Sequence, residues 1–282
     1  MTRLAAYLAR IGLPSAPATD AAGLATLQRA HRQSIGFENL DIPLGRAIAI
    51  DGAAAFAKLV EGGRGGYCFE HNRVYADMLA VLGLAVRPLL ARVWLGLDPL
   101  ADPAPPRTHT LLLTEIDGER WTADAGFGGS FVPPLPLVDG AETTTADGAR
   151  HRLRRPAPDE AADAEWLLER AGPGTATDGR AAAHDDWQAQ YGFTLAPVTP
   201  ADLDLSNHWT STRPGTRFTT LRIASIALPD GFAALTDRRL SLHRAGQAES
   251  REIAGVAEYR DLLATLFRIE LTAAEAARLG LY

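Results

Sequence analysis

The sequence predicts an α+β fold in three successive parts: a helical N-terminal part, a central antiparallel β-barrel or strongly curved sheet, and a mixed α/β C-terminal part. Three observations carry this reading. Apolar residues up to about position 83 recur at three-and-four spacing, as one face of a helix requires. From Ala85 to about Thr194 the chain breaks into short β-rich runs separated by Pro, Gly and Asp clusters, such as 98–106 and 171–179. After Pro197 strand-like runs and helical stripes occur together.

In the first part, Leu24, Leu27, Ala30 and His31 fall on one helical face within 24–35, and 53–60 continues in that style. A further helix runs from about Cys68 to Leu82, placing Phe69, Tyr75, Met78, Leu79 and Leu82 toward a core, with Gly83 as its stop. The expected strands of the second part are 86–95, 108–116, 120–125, 150–154, 166–169 and 187–193, and many short strands with turn signals favour a barrel. The third part is expected to hold strands at 218–228, 232–235 and 239–243. Two helices follow, one at about 258–268 with Tyr259, Leu262, Leu263, Leu266 and Phe267 on one stripe, the next starting at the capping-box pattern Thr272-Ala273-Ala274-Glu275.

The 282 residues are ample for a buried core, and 46% hydrophobic with 22% charged is ordinary for a globular protein. A net charge of −6 argues against bulk affinity for nucleic acid or anionic membrane, while leaving room for a local basic patch that holds a phosphate-bearing ligand. No run of about 18 apolar residues occurs, and the N-terminus lacks the apolar core of a signal peptide; a cytoplasmic protein is expected. The single cysteine excludes an intramolecular disulfide and a multi-cysteine metal site.

A lone cysteine is most often a small buried hydrophobe, so its position decides its interest. Cys68 follows Arg64-Gly65-Gly66-Tyr67 and opens a helical pattern. The glycines permit a tight turn, and the first turn of a helix stabilises a thiolate. The same N–H groups suit an oxyanion on an attacked carbonyl.

A reactive cysteine needs a base and the base an orienting group. Of the seven histidines, His109 stands out geometrically. The run 108–116 and the run 119–124 flank Asp117-Gly118, a strong two-residue hairpin signal. With that turn Ile116 pairs with Glu119 and Leu111 lies opposite Asp124. His109 and Asp124 then share a face as diagonal neighbours. A slip of one residue would separate them to opposite faces. The stretch Ala125-Gly126-Phe127-Gly128-Gly129-Ser130 that follows is a glycine-rich loop able to approach a phosphate, though it matches neither a Walker loop nor a dinucleotide fingerprint.

Four segments, in order, carry a resemblance: Gly36-Phe37-Glu38-Asn39-Leu40-Asp41; Arg64-Gly65-Gly66-Tyr67-Cys68-Phe69-Glu70 with Asn72; Thr108-His109 with the leucines after it; and Asp124-Ala125-Gly126-Phe127-Gly128. The chain resembles the arylamine N-acetyltransferases over nearly its whole length. The resemblance implies three domains: a helical bundle (1–84) carrying Cys68, a β-barrel (85–195) carrying His109 and Asp124, and an α/β lid (196–282), with a papain-like Cys-His-Asp arrangement in the cleft between the first two. It implies a ping-pong acyltransferase with acetyl-CoA as co-substrate, no tightly bound cofactor and no metal. Cys68 would carry the acetyl group as a thioester to the nitrogen of an arylamine, arylhydrazine or arylhydroxylamine. Phe37 and Phe127 would line the acceptor pocket, and Gly126, Gly128 and Gly129 would approach the coenzyme A pyrophosphate.

Glu38 and Arg64 are expected as scaffold near the nucleophile. Two positions depart from the family pattern: His71, where glutamine is common, and Ala125, where valine is common. His71 is expected as a helix-surface or packing residue, and Ala125 alters pocket volume. Two other readings share the triad: an amide synthase that closes a macrolactam from a carrier-bound acyl chain, and a cysteine hydrolase.

Overall fold

The structure, a computed structural model, describes residues 2–180 and 184–282, apart from the side chains of His184 and Asp185. Helix α1 (Arg3–Arg10) is capped by Thr2, whose hydroxyl accepts the Ala5 N–H. Helix α2 (Ala21–Ser34) is capped by Asp20 through the Gly23 N–H. These side chains satisfy donors that the first turn leaves without partners. Strand β1 (Phe37–Glu38) leads to α3 (Gly52–Phe56), which widens into a π-helical turn at Ala57–Glu61. Helix α4 (Cys68–Val81) ends the first part.

Eight antiparallel strands follow: β2 (Val86–Val93), β3 (Arg107–Ile116), β4 (Glu119–Ala123), β5 (Leu135–Pro136), β6 (Ala141–Thr144), β7 (Arg150–Arg154), β8 (Trp166–Gly172) and β9 (His184–Phe193). They form one sheet in the order β5-β4-β3-β2-β9-β8-β7-β6, and its two edge strands β5 and β6 come into contact, so the sheet nearly closes on itself. Its interior holds Leu89, Leu111, Leu113, Phe127, Trp166, Leu168, Tyr191 and Phe193. The short strands β5 and β6 were not expected from the sequence: β5 spans two residues, and β6 has threonines but no large apolar side chain to mark a buried face.

The last part contains α5 (Pro200–Thr212), α6 (Arg217–Thr220), β10 (Ile223–Leu228), β11 (Gly231–Thr236), β12 (Arg239–Arg244), β13 (Gln247–Glu252), α7 (Val256–Thr265) and α8 (Ala273–Arg278). Thr272 and Glu275 form the expected capping box of α8. One expectation needs correction, and two elements were not anticipated. Helix α5 was not anticipated from the sequence, because its Ser, Thr and Asn content masks any stripe; its Thr199–Asp202 capping box and Pro200 were the available signals. The expected strand over 218–228 starts at Ile223, because α6 occupies its first residues and Asn39 holds the carbonyls of Phe218 and Leu221, both at 2.8 Å. Strand β13 is exposed throughout and polar except for Ala248, so alternation gives no sign of it.

Two features position the site. Strand β1 is the edge of the second sheet (β1-β10-β11-β12-β13), pairing Phe37 with Ser225 and Glu38 with Ala224. The same strand bridges Gly66, with the Glu38 N–H donating to the Gly66 carbonyl at 2.7 Å. The turn before Cys68 is thereby tied to the C-terminal sheet. A second buried cluster joins Phe37, Ile48, Tyr67, Cys68, Phe69, Leu90 and Ile223, so residues from all three parts pack around the cysteine. No helix among the described residues is long and apolar enough to cross a membrane.

Candidate active site

Cys68 is the first residue of α4, a buried position at the positive end of the helix dipole. The Glu70 carboxylate reaches back to the Tyr67 N–H at 3.0 Å and fixes where the helix begins. Burial lifts the Glu70 pKa to about 7, against the opposing pull of Lys58 at 2.7 Å. Lys58 also meets Asp41 (2.7 Å), and Arg64 meets Glu38 (2.7 Å) and Asp41 (3.1 Å). Glu38 and Arg64 thus belong to an ionic scaffold beneath the turn. The Cys68 thiol points toward the Thr108 carbonyl at 3.6 Å.

Thr108 precedes His109 on β3. The β3–β4 hairpin has the expected register, Ile116 with Glu119 through Leu112 with Ala123. Asp117 and Gly118 both take positive φ (52° and 79°), the combination that an I′ turn demands. Asp124 follows β4 directly, and His109 Nε2 lies 2.8 Å from its Oδ2. The imidazole's Nδ1 is left for the thiol. Burial alone would depress the His109 pKa, but the charge and hydrogen bond of Asp124, with a smaller contribution from Cys68, raise it to about 10. Burial likewise opposes ionisation of Asp124, and the His109 charge, the Asn72 amide and the Gly126 N–H override it, holding the carboxyl below its ordinary value.

Asn72, one turn beyond Cys68, ties the Cys68 helix to β3 and to Asp124. Its Nδ2 donates to the Thr110 carbonyl (2.6 Å) and to Asp124 Oδ1 (3.1 Å), and its Oδ1 accepts the Ala125 N–H (3.0 Å). From α2, Gln28 accepts the Asp124 N–H (2.9 Å) and donates to the Val132 carbonyl (2.7 Å). Tyr191 from β9 packs its ring on those of His109 and Phe127, with centroids 4.9 and 5.1 Å away. The sequence reading assigned no role to Gln28 or Tyr191; a glutamine on the apolar face of α2 was the available signal. Asn72→Ala is expected to lower kcat roughly 100-fold, the scale of a misplaced catalytic group, with the circular dichroism spectrum unchanged; a steady-state assay on the folded variant checks it.

Cys68, His109, Gly126, Phe127 and Gly128 line a cleft of about 660 Å³ together with Phe37. Both phenylalanines expected at the acceptor pocket therefore stand beside the cysteine. Gly126 has no room for a side chain, since a Cβ would lie 2.7 Å from Cys68 Cα, and its N–H already donates to Asp124 Oδ1 at 2.9 Å. Gly128 abuts the Phe37 ring, where a Cβ would come within 2.6 Å. Gly129 lies outside the cleft lining, and its carbonyl accepts the Asp178 N–H at 2.8 Å. Close packing accounts for these glycines, and Gly126 has no N–H to spare for a phosphate.

His71 is fully buried, which corrects the surface alternative and leaves packing. Its Nε2 meets the Gly36 carbonyl (3.1 Å), its Nδ1 meets His31 Nε2 (2.8 Å), and His31 Nδ1 meets the Tyr7 hydroxyl (2.8 Å). The Phe37 ring stacks on His71, 10° from parallel at 6.3 Å.

The sequence model of a family described as N-acetyltransferase matches residues 20–276. The chain is 37% identical over 254 residues to the arylamine N-acetyltransferase of Escherichia coli K12, covering 89% of this chain and 83% of that protein. The chain belongs to the arylamine N-acetyltransferase family. It is accordingly an acyltransferase. The solved arylamine N-acetyltransferase of Salmonella typhimurium superposes with a TM-score of 0.87 at 31% identity, covering 100% of this chain and 99% of that one. That of Mycobacterium marinum, solved in complex with CoA, gives 0.85 at 31% identity over 98% of both chains. The mixed helix-and-sheet architecture is thus that of the arylamine N-acetyltransferases.

Proposed function

We propose that this acyltransferase moves an acetyl group from acetyl-CoA through a Cys68 thioester to the nitrogen of an arylamine, arylhydrazine or arylhydroxylamine. The observation that carries the reading is the placement of Cys68 and His109 in one cleft, with the imidazole held at Nε2 by the buried carboxylate of Asp124. His109 Nδ1 takes the thiol proton, and Asp124 holds the resulting imidazolium. The sulfur attacks the acetyl carbonyl carbon. The bond to the coenzyme sulfur breaks, and that sulfur leaves with the proton from His109. The acceptor nitrogen then attacks the thioester, gives its proton to His109, and Cys68 departs and is reprotonated. Phe37 and Phe127 supply flat apolar walls suited to an aromatic ring.

The experiment is intact-mass analysis after mixing the protein with acetyl-CoA. A single acetyl adduct is expected, mapped to the peptide holding Cys68 and discharged when an arylamine is added. An adduct that water discharges as fast as the amine does would instead make the protein a hydrolase, and no adduct would overturn the reading.

A further inference from the structure

A second cavity lies behind the triad. It encloses about 450 Å³ between α4, the β2–β3 pair and α5, and it shares no lining residue with the catalytic cleft. The separation follows from local geometry. Side chains alternate along β3, so His109 enters the cleft while Thr110 and Leu112 face the second cavity. Pro88 pairs with Leu112 across the β2–β3 ladder and continues the same wall. On α4 the cavity takes Phe69, Asn72, Ala76 and Ala80, a stripe at three-and-four spacing that begins one residue after the cysteine. The alanines at 76 and 80 leave the space that longer side chains would fill. Helix α5 supplies the third side, and its Asn207 amide donates to the Ile48 carbonyl at 3.0 Å, which ties this helix to the segment leading into α3.

The walls of this cavity are mostly apolar and its rim is acidic. Among the described residues that line it, three aspartates stand against one arginine. Arg73 and Asp77 satisfy each other, Nε to Oδ1 at 3.2 Å along one turn of α4. Asp51 caps α3 through one oxygen, accepting the Ala53 and Ala54 N–H at 3.1 and 2.9 Å. Asp204, exposed on α5, has no ion-pair partner among the described residues. Two carboxylates are therefore left over where the apolar walls meet solvent. A neutral apolar molecule would cover the walls and leave that charge unmatched, while an anion would be repelled. A volume of this size falls within the range of small-molecule sites, roughly 300–1,000 Å³. We infer that the second cavity binds a small organic ammonium ion, its apolar body against Phe69 and Leu112 and its charged end toward Asp51 and Asp204. The site does not depend on the nature of the acyl donor, and its occupant binds together with the substrates of the cleft and not in their place. Its inner wall is Asn72, whose amide also holds Asp124 Oδ1, so the occupant comes within one side chain of the triad.

The test is calorimetric titration with benzyltrimethylammonium, a cation that carries no N–H and so cannot be acetylated. Saturable binding of one probe per chain at neutral pH is expected. Benzyl alcohol should bind about fivefold more weakly, the scale of one favourable charge at a solvent-exposed rim, and phenylacetate more weakly still. Raising the salt concentration should weaken binding of the cation and leave that of the alcohol unchanged. Asp204→Asn, at an exposed position, should erase most of the difference between cation and alcohol. Ala76→Phe should fill the cavity and abolish binding of both, with the fold checked by circular dichroism. Carbamidomethylation of Cys68 by iodoacetamide should alter neither affinity, since the cysteine lies outside this cavity. No binding of the cation, or phenylacetate binding as tightly as the cation, would overturn the site. Binding that alkylation of Cys68 removes and Asp204→Asn leaves intact would place the probe in the catalytic cleft and overturn it as well.

Discussion

Asp124→Asn is expected to lower kcat by about four orders of magnitude, the loss seen when the orienting carboxylate of a triad becomes an amide. The reason here is a matter of which atom faces the imidazole. Asp124 Oδ1 receives two donors, the Asn72 amide at 3.1 Å and the Gly126 N–H at 2.9 Å. In the asparagine variant the one remaining oxygen stays where those two donors converge, so the new NH2 group turns toward His109 Nε2. A donor at that position selects the tautomer protonated at Nδ1, which cannot take the thiol proton. Removing the carboxylate charge also removes the main force that lifts the His109 pKa to about 10. Two measurements check this. The rate of Cys68 alkylation by iodoacetamide at neutral pH should fall sharply, and the linkage between stability and alkaline pH should weaken. The sign is fixed by the raised folded-state value: in the wild type the stabilisation is complete below pH 6.5 and is lost as pH rises through about 10. A loss of less than tenfold in kcat would mean that Asp124 does not orient the base.

The parts of this site that were legible in the sequence were those set by local rules. Asp117-Gly118 fixes the hairpin turn, the turn fixes the register, and the register brings His109 and Asp124 to one face. Glycines before an apolar stripe place Cys68 at a helix start in the same way. The joining of Cys68 to that pair was not legible from pattern, because it runs through Asn72, Gln28 and Thr108, whose partners lie 38 to 104 residues away. The resemblance supplied that link in the first instance. The same limit explains α6, since Asn39 dictates the chain path about 180 residues later through two carbonyl contacts. The N-terminal core crosses into the barrel as well, with Leu112, Ile116 and Ala123 packed against Tyr75, Met78 and Leu79. Periodicity finds the apolar face of each element but says nothing about which faces meet.

Acid is expected to destabilise this protein steeply, and His71→Gln to reduce that sensitivity. The hydrogen-bond chain from Tyr7 through His31 and His71 to the Gly36 carbonyl has only one consistent polarity. The carbonyl accepts, so His71 Nε2 carries a proton, and its neutral Nδ1 must accept from His31. The same logic makes His31 Nδ1 accept from the Tyr7 hydroxyl. A second proton on either ring puts two donors face to face. The surroundings mostly oppose it: burial is the first cause that lowers both pKa values, the positive charges on Arg32, Arg10 and Lys58 add to it, and the Gly36 carbonyl pulls the other way only for His71. For a base with a lowered folded-state pKa, the unfolded chain takes up the proton first as pH falls below 6.5. The stabilisation is therefore complete above pH 6.5 and declines below it, by about 1.4 kcal/mol per pH unit for each histidine. Glutamine can reproduce the polarity without titrating, since its amide N–H donates to Gly36 and its oxygen accepts from His31. Chemical denaturation of both proteins between pH 6.5 and 5 should give unfolding free energies whose pH slopes differ by about one histidine's worth, with the wild type the steeper. Parallel curves would mean that His71 gains its proton in the folded state as readily as in the unfolded one. Because Phe37 stacks on His71 and lines the cleft, breaking the chain also loosens the wall beside Cys68.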